Sequence, residues 1–173
     1  MPEVLTECQL EEPASWPEPP ARLCAVVEAA VRAAIAVAPP AGDTPLEVAV
    51  SLSGNERVRA LNARWRGRER PTNVLSFPAP DMPRPPGEPR HLGDLALAGP
   101  VVAREAEQAG VPLMEHLSWL VIHGVLHLLG HDHQHEPERR RMEALERAAL
   151  AALGYADPHS TEAPALTAGG SGP

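Results

Sequence analysis

The chain has 173 residues, 43% of them hydrophobic, which suffices for the core of one domain without covalent cross-links. A formal charge of −8 argues against a protein that coats nucleic acid by bulk electrostatics. Only Cys8 and Cys24 are present, too few for a disulfide scaffold, so both read as structural thiols and a reducing cytoplasm is the natural compartment. No stretch joins a basic head to an apolar segment, and the longest apolar run, 117–130, is interrupted by His123 and His127. Neither secretion nor a membrane span is expected.

In chain order, a short strand is expected at 4–10. The 21 prolines then mark where regular structure stops, with an irregular link at 13–20 and an exposed loop at 78–89. Leu23, Val26, Val27, Ala30, Val31, Ala34 and Ile35 recur at helical spacing and predict an amphipathic helix ending before Pro39. Leu46, Val48, Val50 and Leu52 alternate with Glu47, Ala49 and Ser51, the period of a half-buried strand. Ser53 and Glu56 have the spacing of a capping box, opening a helix with Val58, Leu61 and Trp65 on one face. Short strands at 74–77 and 94–98 flank the proline loop, and a helix follows over about 100–109. The segment 113–129 is apolar on most sides, so it predicts a central, buried helix that Gly130 ends. A last helix has Pro137 in its first turn, directs Met142, Leu145, Ala149 and Leu153 inward, and stops at Gly154. Strands fall early and helices late, the pattern of an α+β domain with helices packed on a small mixed sheet. The domain is assigned to 1–156 and a disordered tail to 157–173.

Five of the eight histidines lie between 123 and 135, in a segment that includes HGVLHLLGHDH. His123 and His127, at i and i+4, project from one helix face about one turn apart and can share a metal ion. Gly130 can take the left-handed conformation that turns the chain back, so that His133 supplies a third nitrogen. Imidazole donors favour zinc over magnesium or calcium, while nickel, copper or iron also fit such a set. Three protein ligands leave a position for water, the mark of a catalytic site, and hydrolysis is the natural chemistry. The spacing matches the metzincin pattern at His123, His127, Gly130 and His133, but Gly124 stands where those proteases carry their general-base glutamate. Peptide hydrolysis loses support accordingly. Asp132 reads equally as a group orienting an imidazole or as a turn residue, and His116, His131 and His135 as ordinary core or surface histidines.

Between 56 and 70 there are six arginines against two glutamates, a local balance of +4. These cations are either a solvated surface or a phosphate-binding set, since the guanidinium fork matches phosphate oxygens.

Taken together, HGVLHLLGHDH, LNARWRGRERPTNVLSFP and His91-Leu92-Gly93-Asp94-Leu95 resemble the YbeY family, the bacterial metal-dependent endoribonucleases also described as rRNA maturation factors. The resemblance runs from about 46 to 154. It implies a zincin-like fold in which a central zinc-bearing helix packs against the mixed sheet, with one zinc ion held by His123, His127 and His133. It implies that Arg66, together with these three histidines, forms the catalytic set by contacting RNA phosphate or stabilising developing charge. Glu69 and Asn73 stand where the family often has Asp, and His131 where Tyr is frequent, so none of these joins that set. The implied activity is zinc-dependent cleavage of single-stranded RNA in rRNA maturation and ribosome quality control. The implied partners are rRNA and the ribosome or its small subunit, with no membrane. The alternatives are a metalloprotease-like hydrolase and a non-catalytic, metal-stabilised ribosome assembly factor.

Overall fold

The computed structural model describes residues 1–66, 73–132 and 134–158, with Arg66 described through its backbone alone. Four strands, β1 (Val4–Leu10), β2 (Leu46–Ser53), β3 (Val74–Pro78) and β4 (Arg90–Ala98), form one sheet in the order β1-β2-β4-β3. β1, β2 and β4 run parallel and β3 antiparallel to β4, so the sheet is mixed. Five α-helices accompany it: α1 (Pro20–Val37), α2 (Asn55–Arg66), α3 (Gly99–Ala109), α4 (Leu113–Leu128) and α5 (Glu136–Ala152). The α+β expectation holds in this form.

Strand alternation sorts the side chains into two layers. Leu46, Val48, Val50 and Leu52 of β2, with Leu95 and Leu97 of β4 and Val74 of β3, face the main core, built with α1, α4 and α5. The next residues along, Leu75, Ala96 and Ala98, face the other way and form a smaller cluster with Val58 of α2 and Val101 of α3. Each fully buried Leu, Ile or Val in the main core contributes about 1.5–3 kcal/mol relative to exposure.

Three expectations are revised. The helix after β2 begins at Asn55, and the Val58 N–H bonds the Gly54 carbonyl, so Gly54 takes the N-cap position. Ser53 continues β2, paired with Ala98, and its Oγ lies 2.8 Å from Ser51 Oγ, so the capping box does not form. β4 starts at Arg90 rather than 94, because its first residues pair with Leu46 and Glu47 ahead of an irregularity at Glu47/Val48. Cys8 of β1 and Cys24 of α1, read from the sequence as structural thiols, are disulfide-bonded with Cα atoms 5.7 Å apart. That spacing suits a disulfide. The pairing arises because the strand and the helix that follows it are neighbours in the main core.

Candidate metal and RNA site

α4 supports the site. His116 through Leu126 are all buried, as is Leu128, and the helix packs against α1, α3, α5 and β3. It meets α3 at a bend of 115°. Among the described residues no single helix is long and apolar enough to cross a membrane. Its end is a Schellman motif: the His131 N–H bonds the Leu126 carbonyl at 3.0 Å and the Gly130 N–H the His127 carbonyl at 2.9 Å. Gly130 has φ +97°, a conformation that side-chain-bearing residues rarely take, and it turns the chain as its place in the motif requires.

His116, Trp119, His123 and His127 form a stripe along α4. Neighbouring ring centroids lie 5.8, 5.9 and 4.9 Å apart, the last pair being His123 and His127 at 70° between ring planes. His123 is 4% exposed, His127 is half-buried, and the Nε2 atom of each is buried. Nδ1 of His123 lies 2.7 Å from Glu146 Oε2 of α5. At the other end of the stripe, buried His116 places Nε2 3.1 Å from Glu105 Oε1 of α3. Glu105 also accepts from Asn73 Nδ2 at 3.0 Å, and Asn73 Oδ1 accepts the Val74 N–H at 2.7 Å. Asn73 therefore fixes the start of β3 to α3 and α4.

The i, i+4 histidines are thus brought together as the sequence predicts. His133 and the side chain of Arg66 lie outside the described residues; the backbone of Arg66 ends α2. Among the described residues no three His, Cys, Asp or Glu side chains converge as a metal site would require. The donors that are described do suit a borderline cation: two neighbouring imidazoles, with Nδ1 of one engaged by a carboxylate.

Gly124, between the two histidines, faces the sheet. A Cβ there would lie 2.8 Å from Leu95 Cδ2 and 3.3 Å from Ser76 Oγ. α4 can approach β3 and β4 this closely only without a side chain, and a glutamate at 124 has no room. Asp132 Oδ1 accepts the Gln134 N–H at 3.2 Å, a turn role. His131 instead lines a cavity with Arg90, Leu129, Arg141 and Leu145. Burial there, and secondarily the Arg141 guanidinium, holds its imidazole below the ordinary histidine value. His135 is exposed and caps α5 through its carbonyl, which accepts the Arg139 N–H at 2.7 Å.

A larger cavity of about 630 Å³ lies on the other face of the sheet, between α2 and β1, lined by Glu7, Gln9, Ser51, Trp65 and Asp94 among others. Neither His123 nor His127 lines it. Trp65 is 60% exposed, with the Arg64 guanidinium 5.2 Å from its ring centroid and the Phe77 ring 6.4 Å away.

Glu146 and Glu105 escape a reading that follows apolar periodicity. The signal for Glu146 was present: it falls on the inward stripe of α5 with Met142, Ala149 and Leu150, where a carboxylate is out of place unless it has a partner. Glu105 carries no such signal, since it is a charged residue in a helix with an exposed side.

The family model described as endoribonuclease YbeY matches residues 18–154. The endoribonuclease YbeY of Chelativorans sp. (strain BNC1) is 49% identical over 137 residues, covering 78% of this chain and 84% of its own. That of Rhodospirillum rubrum is 49% identical over 146 residues, covering 80% and 73%. In structure, the chain resembles the solution structure of a Thermotoga maritima protein at TM-score 0.52 and 20% identity, over 90% of this chain and 99% of that one, a likeness of fold. With a family model spanning most of its length and relatives at about half identity, the chain belongs to the YbeY endoribonuclease family.

Proposed function

We propose that the protein is a zinc-dependent endoribonuclease that cleaves single-stranded RNA in the cytoplasm, acting in rRNA maturation and ribosome quality control with the ribosome or its small subunit as partner. The observation that carries the reading is the paired imidazoles of His123 and His127 on a buried helix, in a chain whose relatives are named endoribonucleases. His123, His127 and His133 would hold the ion. Bound zinc supplies Lewis acidity and lowers the pKa of water to about 7.

The chain's own residues do the rest. Arg66, at the end of α2, holds a phosphate oxygen of the substrate and offsets the charge that develops there. The neighbouring arginines make this end of α2 attractive to a polyanion, so RNA affinity falls as salt rises. Gly124 supports phosphodiester over peptide chemistry, because its packing excludes the general-base carboxylate that the proteases carry at that place.

The test is cleavage of a single-stranded RNA by purified protein, with metal content measured on the same sample. Zinc near one ion per chain is expected, with cleavage lost on chelation and restored by added zinc. Cleavage that survives complete metal removal overturns the zinc reading.

A further inference from the structure

We infer that Glu146 is the positioning residue of the histidine pair: its carboxylate keeps the proton of His123 on Nδ1 and so leaves Nε2 as the electron-pair donor toward the cation. The inference rests on the metal reading above and names what prepares that site.

The contact is short and buried. Glu146 Oε2 lies 2.7 Å from His123 Nδ1, and the two side chains are 3% and 6% exposed. An ionised carboxylate only accepts hydrogen bonds, so the imidazole must donate, and the donating nitrogen is Nδ1. A neutral imidazole protonated there carries its lone pair on Nε2. Trp119, 5.9 Å from the His123 ring centroid, packs beside the imidazole, and Met142, Ala149 and Leu150 seat α5 in the core. The carboxylate therefore has a fixed address.

His116 provides an internal contrast. It lies on the same stripe and also meets a carboxylate, but through Nε2, which approaches Glu105 Oε1 at 3.1 Å. Its Nδ1 is buried and makes no hydrogen bond among the described residues. One helix thus presents two carboxylate-bound histidines in opposite senses, and of the two it is His123 whose ring neighbours that of His127, at 4.9 Å between centroids. A buried carboxylate on an apolar helix face is costly to retain for packing alone, since a leucine of similar size would fill the stripe without a desolvation penalty.

The test uses the full-length protein and its Glu146→Gln and Glu146→Leu variants, with fold checked by circular dichroism. Zinc affinity is read by competition with a chromogenic chelator. The tautomer of His123 is read in metal-free protein from the nitrogen chemical shifts of its ring. In the wild type the His123 proton is expected on Nδ1. Glu146→Leu should move it to Nε2 and weaken zinc binding by about 10–100-fold. Glu146→Gln, whose amide oxygen still accepts, should fall between the two and guards against a leucine variant that fails to fold. Folded variants with wild-type zinc affinity and an unchanged tautomer overturn the proposal alone. A wild-type protein that takes up no zinc overturns the metal reading, and the proposal with it.

Discussion

The two helices that carry the candidate chemistry are held in opposite ways. α4 is enclosed on nearly every side, and two of its histidines are met by carboxylates from different neighbouring helices. α2 lies on the other face of the sheet, touches the small cluster through Val58 and Leu61, and leaves Arg64 and Trp65 exposed. A set of donors that must converge on one ion needs side chains locked by packing, whereas cations that meet a flexible polyanion need access to solvent. The contrast predicts that changes on α4 act through the fold and the metal together, and changes at the end of α2 act on substrate alone.

The strongest way to break this contrast is Gly124→Glu, which would restore the protease-like pattern on α4. The new side chain meets Leu95, itself 1% exposed, and the buried Ser76, and brings a charge into the core. Overpacking and an unpaired buried charge each cost on the order of 1–3 kcal/mol or more. The variant should be largely unfolded, as read by thermal melting against wild type. A folded, stable Gly124→Glu protein would mean that α4 is not pressed on the sheet as described.

A smaller effect is expected from Glu105→Ala, which removes the acceptor shared by buried His116 and Asn73. Losing those contacts should cost about 1–3 kcal/mol in urea unfolding. Zinc binding should stay near wild type, because His116 is seven residues from His123 and Glu105 approaches neither His123 nor His127 in any described hydrogen bond. A parallel loss of zinc would show that the stripe on α4 acts as one unit rather than as a structural end and a donor end.

How far these features could be read in advance depends on whether their cause is local. His123 and His127 were legible because i, i+4 spacing on a helix fixes their relation whatever surrounds them. The Schellman end at Gly130 was legible for the same reason. β1 and β2 were marked by their alternation or by the prolines beside them. The Cys8–Cys24 bond was not legible, because it depends on β1 lying against α1, which no local pattern states. Ser53 and Glu56 misled because a capping box competes with strand pairing, and the ladder to β4 won. Glu146 is hidden from apolar periodicity because it is a polar residue at an inward position of α5, where it meets His123.

The smallest change in stability, and the sharpest test of the contrast, is expected from Arg66→Ala. Arg66 is the last residue of α2, beyond Val58 and Leu61 that seat the helix, and next to Trp65, which is 60% exposed. Substitution there should alter unfolding free energy by no more than about 0.5 kcal/mol and leave zinc content intact. If its guanidinium meets phosphate as the charge develops, RNA cleavage should fall by about 100-fold or more. Binding to uncleaved RNA should weaken across sequences, with the salt slope reduced by roughly one. His127→Ala, on the buried helix, should instead lose zinc and cleavage together. A variant at Arg66 that cleaves RNA normally would remove its assigned role. One that sheds zinc or unfolds would instead show that the end of α2 is structurally coupled to α4, and the division of labour between the two helices would fail.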